Sequence, residues 1–351
     1  MSDAEVLFEN RGNVGLITLN RPKALNSLTE GMCTLIREQL EVWRLSPSVQ
    51  AVVVVGAGEK AFCAGGDVVK VTKSYKAGTK EWQGFFREEY LMNIAIAEFP
   101  KPYISLVDGI TMGGGVGVSI PGDFWVATEK TLFAMPETGL GLFPDVGGGW
   151  FLPRLPGETG MYLALTGARL KAPDLYALGI ASHVVAADRV SDVIAALAKA
   201  EIKDVRDTAD VLAGFHTDPE PAPLSLLFDD IDDHFDNGTV EDIVTSLEND
   251  SSDWAQKQHS ILMGKSPTSL KLTLEQLKQG AAAETFRENM EMEYRMVNHI
   301  MAAPDFHEGV RALLLDKDNA PKWQPSALAD VSGEMIEGCF KSLGPDELLA
   351  N

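Results

Sequence analysis

Two acidic residues stand in a stretch that otherwise avoids charge. In Phe133-Ala134-Met135-Pro136-Glu137-Thr138-Gly139-Leu140-Gly141-Leu142-Phe143-Pro144-Asp145-Val146-Gly147-Gly148-Gly149, Glu137 and Asp145 lie eight positions apart among apolar residues and glycines. A carboxylate in such surroundings is costly to bury unless paired or hydrogen-bonded, and desolvation lifts its pKa toward neutrality. That suits a general base or a nucleophile. A structural alternative stays open: Asp145 capping a helix that starts near Val146, and Glu137 holding a turn. Perturbed carboxylates gather at working sites, which favours the chemical reading.

Two glycine-rich loops supply a second kind of chemistry. Ala61-Phe62-Cys63-Ala64-Gly65-Gly66-Asp67 follows a strand-like run, and so does Gly109-Ile110-Thr111-Met112-Gly113-Gly114-Gly115-Val116-Gly117. A residue without Cβ lets its amide approach a ligand closely. Two such amides on neighbouring strand ends make an oxyanion hole for a carbonyl oxygen that gains charge. Either loop alone reads more readily as a turn or a close helix contact. Nucleotide spacings fail: Ile120 stands where GxGxxG needs its last glycine, and His259 where a P-loop ending in Gly264-Lys265-Ser266 needs its first. Pro121 breaks a GxSxG elbow around Ser119.

The remaining reactive residues are weaker candidates. Glu88 and Glu89 lie on a helical stretch, where most glutamates are solvated. Cys63 sits in the first loop, and no partner histidine is placed beside it by the sequence, so it reads as packing. The six histidines form no HxxxH or HExxH pair, so no metal site is expected. The run Asp229-Asp230-Ile231-Asp232-Asp233 opens an acidic region reaching about Asp253; it lacks the EF-hand order and reads as a solvated helical insertion.

The elements that must position these residues are legible from periodicity. Val14–Leu19 reads as a strand, and Thr29 as the cap of a helix through Leu35, Ile36, Leu40 and Trp43, stopped by Ser46-Pro47. Ala51–Val55 is an unbroken run, as in a strand covered on both faces. A helix is expected over about 79–98 and a strand over Tyr103–Val107. This repeated β-then-α order implies an α/β domain of crossover units. After about residue 200 helical periodicity dominates: Ser266-Pro267 caps and opens one long helix, and 286–301 forms another.

Composition narrows the partners. Thirty Lys and Arg against 51 Asp and Glu leave a net charge of −21, which disfavours nucleic acid while still allowing a phosphate-bearing ligand to be held locally. No apolar run is long enough for a membrane span. Three separated cysteines and an N-terminus of Met-Ser-Asp-Ala-Glu-Val, without a basic or apolar leader, point to a reducing compartment. The cytoplasm is expected, or the mitochondrial matrix if a presequence has been removed.

With these segments assembled, the chain resembles the crotonase (enoyl-CoA hydratase/isomerase) superfamily. Arg21-Pro22-Lys23-Ala24-Leu25-Asn26 and the two glycine loops resemble its recurring signatures. The Thr111–Gly117, Phe133–Thr138 and Gly141–Gly149 segments, with Ser266–Lys271 and Asp305–Ala312, resemble a branch that hydrolyses short 3-hydroxyacyl-CoA thioesters. The likeness implies an α/β fold: a crotonase-like spiral of ββα units over 1–200, bearing the acyl-CoA site, and a mainly helical region over 201–351 with the acidic insertion. It implies CoA lying along Lys23, Ala24 and Leu25 and the loop residues Ala64, Gly66 and Asp67, with Lys317 a further phosphate contact. It implies an oxyanion hole from Gly66 and Gly114, catalytic roles for Glu137 and Asp145, and substrate contact by Glu89. No cofactor is implied, since CoA is part of the substrate. The implied partner is that acyl-CoA; self-association into a homo-oligomer is left open.

One departure separates two activities on this fold. Hydratases of the superfamily add water with two glutamates, and the first would fall at Gly117. Glu137 fills the second position, and Asp145 adds a carboxylate that typical hydratases lack. The expected activity is therefore thioester hydrolysis, with 3-hydroxyisobutyryl-CoA and valine breakdown the expected setting. A hydratase or isomerase on the same fold is the alternative, followed by a non-catalytic binding role of the kind seen in RNA-binding members.

Overall fold

The computed structural model describes residues 4–349. The chain forms two compact units that alternate along it: up to Asp67, Glu88–Phe133 and Leu170–Ser225 in the first, and Val68–Arg87, Ala134–Arg169 and everything from Leu226 in the second. The linear division at residue 200 follows chain order, whereas this grouping crosses it in both directions, because segments far apart in sequence supply each core.

Among the described residues there are nine strands: β1 Val6–Arg11, β2 Val14–Leu19, β3 Ala51–Gly56, β4 Ala61–Cys63, β5 Tyr103–Val107, β6 Ile110–Met112, β7 Phe124–Ala127, β8 Leu132–Ala134 and β9 His183–Val184. A six-stranded sheet has the order β1-β2-β3-β5-β7-β9, and a three-stranded sheet the order β4-β6-β8. Only β1 and β2 pair antiparallel in the larger sheet. From β3 onward each odd strand joins the large sheet and the next joins the small one, which is the expected ββα winding.

The unbroken apolar strands have cover on both faces, as their sequences require. Val14, Leu16, Val53, Ile104, Leu106 and Val126 meet Val193, Leu197 and Leu212. Their pleat neighbours Ile17, Val52 and Val54 are equally buried, as are Met32, Ile36, Leu40 and Trp43 of the helix Glu30–Leu45. Thr29 caps that helix by accepting from the Met32 amide. A Cβ on Gly15 would lie 2.7 Å from the Trp43 ring, so only glycine lets strand and indole meet.

The expected helix over 79–98 is Glu81–Ala97, and a separate helix, Val68–Lys76, not expected from the sequence, precedes it. In the second unit, Ser266 caps Pro267–Ala282, accepting from the Ser269 amide, and Phe286–Ile300 follows. The acidic region is helical, as Phe228–Phe235, Val240–Asn249 and Asp253–Met263. It buries Ile231, Phe235, Ile243 and Leu247 and keeps most of its carboxylates outward.

Candidate active site

In the first unit, the signature turn and both glycine loops are tied together. Pro22–Ala24 forms one 3-10 turn, and Leu25 and Asn26 then adopt left-handed backbone at φ 52° and 57°. The Asn26 side chain accepts from the Arg21 amide at 2.9 Å and donates to the Ala57 and Ala61 carbonyls, each at 2.9 Å. Arg21 reaches Asp67 at 3.2 Å and the Ser27 carbonyl at 2.6 Å. The Ala64 amide donates to the Leu25 carbonyl at 3.0 Å. Asp67 therefore serves here as a carboxylate partner of Arg21, which also pairs with Glu5 at 3.0 Å. Replacing Asn26 by Ala should cost roughly 3 kcal/mol or more, since it orphans buried polar groups and places a Cβ-bearing residue in left-handed backbone without a side-chain tie. A denaturation midpoint equal to wild type would contradict this account.

That turn borders a cleft of 430 Å³ lined by Pro22, Lys23, Leu25, Asn26, Ala57, Gly58, Glu59, Lys60 and Ala61. Lys23 and Ala24 are exposed beside it, and Lys60 adds a second ammonium that sequence reasoning passed over. Lys317 stands in the second unit, exposed, between Asp316 and Asp318, both of which pair with Arg311.

Gly66 and Gly114 are brought together. A Cβ on Gly114 would lie 3.2 Å from the Gly66 nitrogen and would collide with Glu89 Oε1. The Leu28 amide donates to the Gly65 carbonyl and the Asp67 amide to the Leu28 carbonyl, leaving the intervening Gly66 amide outside this ladder. Gly114 opens the short helix Gly114–Gly117, so its amide has no intrahelical acceptor. Among the described residues neither amide donates a hydrogen bond, which is the arrangement an oxyanion hole needs. A Cβ on Gly115 would strike the Cys63 carbonyl, which accounts for the third glycine of the run.

Adjacent glutamates on Glu81–Ala97 meet different fates. Glu88 pairs with Arg37 at 2.8 Å, whereas Glu89 is 2% exposed and points its carboxylate at Gly114. Cys63 is fully buried and burial pushes its thiol up to about 12, so it is a packing residue.

In the second unit, Glu137 begins a 3-10 turn, Glu137–Leu140, without capping it, and is 4% exposed. Its Oε2 has no hydrogen-bond partner among the described residues. Burial first, and then the charge of Asp145, push its pKa well above the ordinary carboxylate range; its own amide and the Lys265 ammonium pull the other way. Asp145 is also 4% exposed. It is not the helix cap: Gly147 occupies that position for Gly148–Phe151, with no side-chain cap bond.

The amides of that turn go instead to Glu293, a residue missed in the sequence. Its Oε2 accepts from Gly147 N at 2.8 Å and its Oε1 from Gly149 N at 2.9 Å. The signal was present: Asn289, Met290, Glu293, Met296, Val297 and Ile300 form one buried stripe, and a glutamate on such a stripe needs a partner. Lys265, half-buried near Glu137, was likewise noticed only as part of a failed P-loop.

Alternating strands that feed two sheets, with paired free amides at the strand ends and carboxylates in a buried loop, define a crotonase-fold protein of the kind that handles acyl-CoA thioesters. The chain belongs to the enoyl-CoA hydratase/isomerase family, whose sequence model matches residues 14–340. It is similar to the mitochondrial 3-hydroxyisobutyryl-CoA hydrolase of Danio rerio, 50% identical over 98% of this chain and 91% of that one. The Homo sapiens protein of the same name is 48% identical over 98% and 90%. Among solved structures, a carnitinyl-CoA dehydratase from Mycobacterium thermoresistibile has a TM-score of 0.92 at 40% identity, covering 99% of this chain and 98% of that one. An enoyl-CoA hydratase from Rhodobacter sphaeroides has a TM-score of 0.90 at 38% identity, covering 98% and 99%.

Proposed function

We propose that the chain is an acyl-CoA thioesterase that cleaves 3-hydroxyisobutyryl-CoA or a close 3-hydroxyacyl analogue to the free acid and CoA, as in valine breakdown. The observation that carries this reading is the buried Glu137 with an unpartnered carboxylate oxygen beside Asp145. The hydrolase names of relatives near 50% identity support it. The dehydratase and hydratase titles of the two similar structures raise the alternative, but Gly117 offers no carboxylate for half of a hydratase acid–base pair.

In this reading the signature turn and the two glycine loops bind and polarise the thioester. Lys23 and the neighbouring Ala24 and Leu25 line the path of CoA, with Lys317 a further phosphate contact. The Gly66 and Gly114 amides stabilise the carbonyl oxygen as it gains charge, and Glu89 contacts the acyl group. Either Glu137 takes a proton from water, whose oxygen adds to the carbonyl carbon, or Glu137 adds itself to give a mixed anhydride that water then opens. On both routes the C–S bond breaks and CoA leaves as the thiol. Asp145 orients the water or the substrate hydroxyl. No resident cofactor is needed. The mitochondrial names of relatives favour the matrix as compartment. No helix among the described residues is long and apolar enough to cross a membrane.

Purified protein should release free thiol from 3-hydroxyisobutyryl-CoA or 3-hydroxypropionyl-CoA and hydrate crotonyl-CoA slowly or not at all. Fast hydration without thiol release would replace this reading with the hydratase one.

A further inference from the structure

A carboxylate buried on all sides is costly unless its oxygens are satisfied. Glu293, on Phe286–Ile300, is 0% exposed, yet the proposed chemistry does not use it. Besides the Gly147 and Gly149 amides, its Oε1 accepts from Asn289 Nδ2 at 2.9 Å and from Gln276 Nε2 at 3.2 Å. Gln276, on Pro267–Ala282, also donates to the Pro144 carbonyl at 2.7 Å. The turn from Pro144 to Gly149 is thus held on both sides of Asp145.

The turn needs holding. Val146 has φ 51°, a conformation that β-branched residues avoid, and Gly147 follows at φ 95°. Nothing local favours that backbone, so its surroundings must impose it. The glycines let the helices close in: a Cβ on Gly147 would meet the Phe286 ring at 2.8 Å, and one on Gly149 would meet Asn289 Oδ1 at 2.6 Å.

We infer that Glu293 is a positioning residue for Asp145: by taking the Gly147 and Gly149 amides it imposes the left-handed Val146 turn and thereby sets where the Asp145 carboxylate points beside Glu137. The inference rests on the thioesterase reading and deepens it. Electrostatics agree with so close a coupling. Burial, then the charge of Asp145, raise the Glu293 carboxyl to about 8, against the pull of the Gly147, Asn289 and Gly149 donors.

The test is a double-mutant cycle on the whole chain, read by thiol release from 3-hydroxyisobutyryl-CoA. Glu293→Gln puts an amide NH2 where one backbone N–H must donate, so the turn shifts. It should lower kcat by roughly 10- to 100-fold, the scale of a misplaced catalytic group, with KM little changed. In an Asp145→Asn background the same change should cost almost nothing further, because its effect runs through Asp145. If Glu293→Gln does not fold, Gln276→Met, which releases only the Pro144 carbonyl and one Glu293 contact, should show the same non-additivity at smaller size. Losses that add fully in the double variant, or a folded Glu293→Gln enzyme with wild-type kcat, would overturn the inference. Wild-type protein that releases no thiol would instead sink the thioesterase reading.

Discussion

Glu137→Gln should lower kcat for thioester hydrolysis at least ~100-fold, the usual range for removing a positioned acid or base, without harming the fold. Gln keeps size and hydrogen-bonding atoms but has neither basicity nor nucleophilicity. Glu137 acts only when ionised, and burial together with Asp145 raises its pKa well above the ordinary carboxylate range. Wild-type kcat should therefore rise with pH as Glu137 loses its proton, and the variant should lose that limb. Stability should move the other way. With a raised folded pKa, the folded protein holds this proton more tightly than the unfolded chain. That contribution is complete below the unfolded carboxyl value, about 4.3, and is lost as pH climbs through the folded value. Gln never bears the buried charge, so the Tm of the variant relative to wild type should improve as pH rises. Glu293, raised to about 8, titrates in both proteins and drops out of the comparison. Near wild-type turnover, or a Tm difference that shrinks with pH, would remove Glu137 from the chemistry.

Gly114→Val should lower kcat by about 10²- to 10³-fold, the loss seen when one oxyanion donor is removed. The side chain has nowhere to go: its first carbon meets Glu89 Oε1, and both the Gly66 nitrogen and Leu28 Cδ1 lie 3.2 Å away. Relief must come from moving the amides themselves or Glu89, and each is assigned to the substrate. Gly31→Val is the matched control. It lies on the exposed face of Glu30–Leu45, where an added Cβ finds nothing within 4 Å, and kcat should not change. Circular dichroism at the assay temperature would establish that both variants are folded. A folded Gly114→Val protein with unchanged kcat would mean that the Gly66–Gly114 pair is not where the thioester oxygen sits.

What the sequence determined by itself is whatever depends on local rules. Thr29 and Ser266 cap helices as side-chain acceptors do at any helix start, the unbroken run from Ala51 reads as a strand covered on both faces, and Tyr103–Val107 reads as a further strand. The candidate residues were legible for a related reason: a glycine cluster after a strand and a charge in an apolar stretch are each anomalies in one dimension. What neighbours those residues would meet was not. That Asp145 yields the helix-start amides to Glu293, 148 positions downstream, follows from the packing of two distant helices onto a glycine turn. Glu88 and Glu89 are equivalent in composition, and only the rotation of their helix sends one to Arg37 and the other to Gly114. Partners of this kind are chosen when the core closes, because burial makes each unsatisfied polar group seek whatever the tertiary structure brings within reach. Sequence patterning sets which groups are buried, and only the folded chain decides with what.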